Sequence, residues 1–371
     1  MAKASKSPDV LIIGGGIMGT ASAWELARHG ARVTVLERSV PGAEASSAAA
    51  GILGAQVETH GPGAMSELCL ASRARYRSFA AELQAETDID VGYRECGVLR
   101  VGFDEKTRRA IVRDVAWQRE LGLPVEQLDR RALIKLEPEL SPKLRGGVRF
   151  KRDARVEPRA LLRALHVAAQ ARGVTFRSGA FVRRVVVQAG RAVGVALDDD
   201  TAVKAGHVVV AAGSWTTLIE GLPLPTGSVI PARGQIVELE LPAPPLSHVV
   251  FGPGAYVVPR DDGKVLIGST LEFVGYEREV TAVAVRDLLA SALALVPALE
   301  HAGLRASWSN FRPYTKDHLP LLGKSSIERL VLATGHYRNG ILLAPISAEI
   351  VRKSVLGQKL PPMVKSFSVQ R

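Results

Sequence analysis

Six residues near the start of the chain, Gly14-Gly15-Gly16-Ile17-Met18-Gly19, restrict its fold more than any other feature. The β-branched run Val10-Leu11-Ile12-Ile13 before them reads as a buried strand. From Ile17 to His29 apolar residues recur at helical spacing, and Gly30 stands where a C-cap belongs. Arg32 to Glu37 reads as a second strand, so the chain opens as a βαβ unit with parallel strands and a right-handed crossover. In the G-x-G-x-x-G pattern Gly14 makes the tight turn, Gly16 lets backbone approach a pyrophosphate, and Gly19 packs helix on strand. Phosphates then meet the free N–H groups and the positive dipole end of the helix. Glu37 closes the second strand about 18 residues after Gly19, where a carboxylate accepts both hydroxyls of an adenosine ribose. Glu rather than Arg here disfavours a 2′-phosphate. The pattern alone does not separate NAD from FAD, nor a nucleotide site from a glycine-rich turn in any α/β protein.

A second unit of the same kind lies mid-chain. Glu157-Pro158 precedes a helix from Arg159 to Arg172, closed by Gly173 and followed by the strand Val174-Thr175-Phe176. His207 to Gly213 reads as a buried strand ending in a glycine turn, and Leu330 to Gly335 repeats that form. Between these pieces the pattern changes. Residues 80–150 mix helix with short strands such as Gly97-Val98-Leu99-Arg100-Val101. Residues 225–305 look antiparallel, with a hairpin of Tyr256-Val257-Val258, the turn Asp261-Asp262-Gly263 and Val265-Leu266-Ile267. The expected organisation is an α/β Rossmann-like dinucleotide-binding domain from residues 1–75, 150–225 and 305–371, and an α+β domain with an antiparallel sheet from residues 76–149 and 226–304.

The chain has 371 residues, 47% of them hydrophobic and 23% charged, which excludes a disordered or collagen-like protein. Two cysteines, Cys69 and Cys96, make neither a disulfide framework nor a four-cysteine metal cluster, and no His/Cys spacing reads as a metal site. The net charge of +11 admits a nucleic-acid partner. Its local runs are only pairs (Arg130–Arg131, Arg183–Arg184, Lys151–Arg152), so scattered basic surface without a nucleic-acid role is the expectation. No stretch reaches the ~18 apolar residues of a membrane span, and Leu288–Leu299 is short and holds Pro297. Lys3, Lys6, the apolar Val10–Met18 and Ala21-Ser22-Ala23 imitate a signal peptide, but three consecutive glycines interrupt its core. The expectation is an uncleaved, cytoplasmic protein that forms a homo-oligomer.

Ser46-Ser47-Ala48-Ala49-Ala50-Gly51-Ile52-Leu53-Gly54 is a run of small residues where backbone can lie against a flat ring or a phosphate. It reads equally as a tightly packed helix start capped by Ser46 or Ser47. With the fingerprint, this run, Val210-Ala211-Ala212-Gly213-Ser214-Trp215 and Gly335-His336-Tyr337-Arg338-Asn339-Gly340-Ile341, the sequence resembles the D-amino-acid oxidase superfamily of flavoproteins over residues 10–360. Within that superfamily the glycine oxidases, which feed an imine into thiamine thiazole synthesis, are the nearest likeness. Tyr256-Val257-Val258-Pro259-Arg260 and Arg312-Pro313-Tyr314-Thr315-Lys316-Asp317 are among its most specific pieces.

The resemblance implies a glutathione-reductase-type fold and noncovalent FAD. It puts Ile17 and Met18 at the pyrophosphate, and Glu37 and Arg38 at the ribose and adenine. Further FAD contacts would come from Ala45, Ser46, Ala50, Gly51 and Ile52, from Val182 beside the adenine, and from His336, Tyr337, Arg338, Asn339, Gly340, Ile341 and Leu342 at the flavin. It implies that Arg312 binds the substrate carboxylate, with Tyr256 and Arg338 completing the site. The implied reaction is oxidation of glycine or another small amino acid or secondary amine by hydride transfer from Cα to flavin N5, with O₂ reduced to H₂O₂. Sarcosine or D-amino-acid oxidases, dehydrogenases and tRNA-modifying members of the superfamily are the alternatives. Two departures bear on substrate: Gly254 stands where the glycine oxidases have a histidine, and Leu271 where they have a methionine.

Side-chain chemistry agrees with these assignments without settling them. A guanidinium fork matches a carboxylate bidentately, so Arg312 suits an anchor, although Asp317 nearby offers it an ordinary ion pair. Tyr256 sits in an apolar strand and reads as a site or a core tyrosine. Arg338 precedes a helix whose N-terminus can stabilise an anionic reduced ring, or is merely structural. A neutral amine drives hydride departure with its own lone pair, so His336, His318, Lys316 and Asp317 are not assigned as acid or base.

Overall fold

The computed structural model describes residues 7–369 and 371; Lys3 and Lys6 of the signal-like start lie outside them. The βαβ opening forms as read, with strand Val10–Ile13, helix Ile17–Arg28 and strand Val33–Leu36. Val10–Ile13 pairs in parallel with Val33–Leu36 on one side and His207–Val210 on the other. Thr175–Arg177 and Leu330–Thr334 extend the parallel sheet, and Leu321–Lys324 closes it antiparallel, giving six strands.

Alternation along these strands feeds two cores. Val10 and Ile12 pack with the helices Ile17–Arg28, Pro158–Ala171 and Gly340–Val355. Leu11 and Ile13 face the other way, onto Val182, Val185, Ala192 and Val195. Those residues belong to a three-stranded antiparallel sheet, Val182–Gln188, Arg191–Leu197 and Ala202–Lys204, which covers this face where a helix would otherwise lie.

The second sheet has eight strands and is antiparallel except where Val249–Phe251 runs parallel to Val98–Gly102. The Tyr256–Pro259 and Lys264–Gly268 hairpin closes through the Asp261-Asp262-Gly263 turn as its sequence indicates. One face of the sheet packs on helix Ala282–Leu295 through Leu288, Ala292 and Leu295. Ile236, Tyr256 and Leu266 on the other face meet Ala50 and Val57 of the N-terminal segment. A cleft lies between the two sheets on that side.

Two of the four expected domain edges fall inside continuous elements. Helix Ala64–Thr87 runs unbroken through position 75, and Tyr76, Phe79 and Leu83 enter the same core as Leu68 and Cys69. Residues 305–314 lie in strand Gly303–Tyr314, which pairs along its length with Ile230–Glu240 and so belongs to the eight-stranded sheet. Helix continuity and strand pairing of this kind are invisible in composition shifts. Among the described residues no helix is long and apolar enough to cross a membrane, and no group of three or more His, Cys, Asp or Glu is placed to hold a metal ion.

Candidate active site

The cleft runs from the fingerprint turn to the eight-stranded sheet and opens to solvent at its mouth. The fingerprint turn forms one wall. Gly19 is needed there because a Cβ would stand 1.9 Å from the Gly14 carbonyl oxygen, so helix and turn touch backbone to backbone. Glu37 is buried and ties the turn to the second strand. Its Oε2 accepts the Gly15 N–H at 2.8 Å and its Oε1 accepts the Ser39 N–H at 3.0 Å. Each oxygen keeps lone-pair capacity for a ligand hydroxyl.

Ser46 caps a helix, but not its own. The four-residue helix Ala45–Ala48 has no side-chain cap, and Ser46 Oγ instead accepts the Ile17 N–H at 2.9 Å at the start of the fingerprint helix. Ser47 Oγ donates to the Glu44 carbonyl. The small-residue run therefore lies along the cleft, where Ala45, Ser46, Ala50, Gly51 and Ile52 line the wall. Arg38 stacks over Trp215, 3.9 Å from the ring centroid, and bonds Glu44, which Arg278 grips at 2.7 and 2.8 Å. Trp215 lines the cleft and was not singled out by the sequence, although it closes one of the family-like motifs.

Gly14, Gly16, Ile17, Met18, Glu37, Arg38, Val182, His336, Tyr337, Arg338, Gly340 and Ile341 also line this cleft. Gly19, Asn339 and Leu342 do not. Gly19 packs behind the turn, and Asn339 is the N-cap residue of helix Gly340–Val355. Leu342 is buried with its carbonyl taken by Ser72 Oγ at 2.6 Å. Their neighbours in sequence line the cleft, while Leu342 enters the core. No side chain caps the first turn of helix Gly340–Val355, so its positive end stands at the cleft wall. His336 is buried with Nε2 on Ser347 Oγ at 3.0 Å and Nδ1 without a partner, and burial pushes its imidazole down to about 3.

At the sheet wall four neighbouring strands carry, in turn, Arg312, Gly234, Gly268 and Tyr256. Arg312 pairs with Ala232, which makes Gly234 its diagonal neighbour on the same face, and Tyr256 stands directly opposite Gly268. The two glycines provide the floor on which the guanidinium and the phenol lie.

Arg312 donates through Nη2 to Ser269 Oγ at 2.6 Å and through Nη1 to the Thr270 carbonyl at 3.2 Å, both neutral groups. Among the described residues no carboxylate pairs with it, and burial lowers its pKa. Asp317, the alternative partner, is taken by Arg371. A half-buried cation whose hydrogen-bond partners are neutral has a place for an anion.

Arg338 differs. Its Nε and Nη2 donate to Glu58 Oε1 at 3.2 and 2.8 Å, and the Glu58 charge raises its pKa. It lines the site with its charge already matched, so it is not a free carboxylate anchor. Glu58 also lines the cleft and was missed by the sequence. The available signal was its position as the first charge after the uncharged run from Ser46 to Val57. Gly254 and Leu271, the two departures, lie outside the cleft lining, and Leu271 is exposed.

Residues 9–353 match the family described as DAO, FAD dependent oxidoreductase. The bifunctional protein ThiO/ThiG of Synechocystis sp. is 40% identical over 370 residues, covering 98% of this chain and 54% of that protein. The chain thus spans about half the length of this relative and of the similar ThiO/ThiG proteins of Nostoc and Trichormus variabilis. The crystal structure of glycine oxidase from Geobacillus kaustophilus superposes with a TM-score of 0.93 at 36% identity, covering 98% of both chains. That of iminodiacetate oxidase from Chelativorans sp. BNC1 gives 0.87 at 28% identity, covering 97% and 98%. A fingerprint turn, a ribose-ready carboxylate, a long cleft and a match running through nearly the whole sequence lead to one conclusion: this chain belongs to the DAO family of FAD-dependent oxidoreductases.

Proposed function

We propose that this chain oxidises glycine, or another amino acid or secondary amine of similar size, to the imine, which water hydrolyses to the 2-oxo acid and an amine. The observation that carries the reading is Arg312, a half-buried guanidinium on the cleft wall whose hydrogen-bond partners among the described residues are neutral. Its likeness to glycine oxidase and to the ThiO/ThiG proteins supports glycine as substrate and thiamine thiazole synthesis as setting.

FAD fits the residues present. Met18 and the uncapped start of helix Gly340–Val355 offer N–H groups and positive dipole ends, Glu37 would take the ribose hydroxyls, and the small-residue run would let backbone approach the ring. When bound, FAD would supply the two-electron acceptor for the substrate Cα–H, with O₂ as the final oxidant. Arg312 holds the carboxylate in a fixed fork and so fixes which Cα–H faces the cleft. Tyr256, buried beside it, closes one side of the site against water. No side chain is required as a base, because a neutral amine supplies its own lone pair.

The test is anaerobic mixing of the purified holoenzyme with glycine, sarcosine and small D-amino acids while following flavin absorbance, then admission of air. Bleaching by glycine and return of colour with peroxide formation are expected. A flavin that no member of the panel bleaches would overturn the reading, and bleaching without reoxidation by air would make the chain a dehydrogenase.

A further inference from the structure

We infer that Glu58, through its pair with Arg338, limits this enzyme to substrates with a single carboxylate; the inference rests on the amine-oxidase reading above. Three charged side chains of the cleft lining, Arg312, Arg338 and Glu58, interact electrostatically with one another. Two guanidiniums and one carboxylate leave a single net positive charge. One substrate carboxylate on Arg312 neutralises it. A second carboxylate would meet Arg338 with its Nε–Nη2 edge already taken by Glu58 and the Glu58 charge repelling it.

Glu58 is built to stay in place. Its N–H donates to the Gly54 carbonyl at 3.2 Å. The residues before it are tied down by buried Asp153, which accepts the N–H groups of Gln56 and Val57 at 2.9 to 3.1 Å and pairs with Arg73 at 2.7 Å. Arg338 is equally fixed, since the Tyr337 N–H before it donates to the Pro313 carbonyl at 3.1 Å. Only Oε1 of Glu58 is engaged. Oε2 accepts no hydrogen bond from any described residue, so the carboxylate presents negative charge to the cleft beyond its pairing role.

Removing the Glu58 charge leaves Arg338 as a second open fork in the same cleft. Glu58 therefore determines specificity by keeping that fork occupied. The test compares kcat/KM for matched pairs in the holoenzyme: iminodiacetate against sarcosine, which differ only in an added carboxylate on the N-methyl carbon, and D-aspartate against D-alanine. In Glu58→Gln the dicarboxylate-to-monocarboxylate ratio should rise about ten-fold or more for at least one pair, the scale of a newly made charge-assisted contact. Adding Arg338→Met should abolish the gain. Glu58→Ala carries the same expectation should the glutamine variant not hold flavin.

A merely structural role for Glu58 would lower both members of each pair together and leave the ratio unchanged. Ratios within two-fold of wild type in an FAD-loaded variant would overturn the inference, as would a gain that survives Arg338→Met. Wild-type enzyme that oxidises none of the four compounds and no glycine would instead remove the amine-oxidase reading on which it stands.

Discussion

The guanidinium of Arg312 lies over the α-carbon of Gly234, so close that a methyl group there would stand 2.1 Å from Nη1 and 2.2 Å from Nη2. The obstruction would be the far end of a flexible side chain, which can move, and Gly234 sits in a paired strand position. Gly234→Ala is therefore expected to fold and keep FAD while pushing Arg312 off Ser269 and Thr270. Misplacement of a positioning group by about 1 Å costs roughly 100-fold, and a fall of that order in kcat/KM is expected. Steady-state kinetics beside an unchanged flavin spectrum is the check.

Removing Arg312 altogether should cost more. For a molecule as small as glycine no other contact replaces the carboxylate anchor, and loss of one member of a buried charge pair costs ~2–5 kcal/mol. Arg312→Ala should thus lower kcat/KM by roughly 30- to several-thousand-fold. Arg312→Lys should recover part of this, because an ammonium restores charge without the fork. FAD content should stay near wild type. An Arg312→Ala enzyme within a few-fold of wild type on its best substrate would remove the anchor role.

Glu37 accepts two backbone N–H groups with two oxygens. Glu37→Gln places an amide nitrogen against one of those donors and withdraws the charge that receives ribose hydroxyls. Charge-assisted hydrogen bonds are worth about 1.5–3 kcal/mol, so FAD should bind roughly 10- to 100-fold more weakly. At saturating FAD, turnover should stay close to normal. Titration of apoprotein with FAD, followed by flavin fluorescence, measures the first, and assays across FAD concentrations the second.

His336 gives the protein a pH dependence of known sign. Burial lowers its folded-state value to about 3, below that of the unfolded chain, so the unfolded state takes up the proton first. The stability this contributes is complete above about pH 6.5 and is lost as pH falls toward the folded value. Between pH 7 and 5 the loss is about 2 kcal/mol, at 1.36 kcal/mol per unit. His336→Gln has no such proton to gain. Denaturant unfolding at the two pH values should show wild type losing about that much more than the variant, and equal losses would refute the linkage.

Local pattern made much of the fold legible. The turn at Gly14–Gly19, the helix after Pro158, the strand ending at Val210 and the Asp261–Gly263 hairpin all formed where period and turn chemistry put them. The three-stranded sheet over Leu11 and Ile13 carried no comparable signal. Its strands mix exposed arginines with short apolar stretches and gain their stability from the face they cover.

The amino-acid sequence by itself determined the opening βαβ unit, because sterics and side-chain periodicity act between residues a few positions apart. It also brought Arg312 and Tyr256 forward as site residues through their motifs. Only the tertiary structure decided which charges meet. Arg338 pairs with Glu58 across 280 positions, and Asp317 goes to Arg371, leaving Arg312 open. Ser46 likewise caps a helix 29 residues before it rather than its own. Coulomb attraction and hydrogen bonding depend on separation in space and on desolvation. Both arise only when strands distant in sequence have been laid side by side.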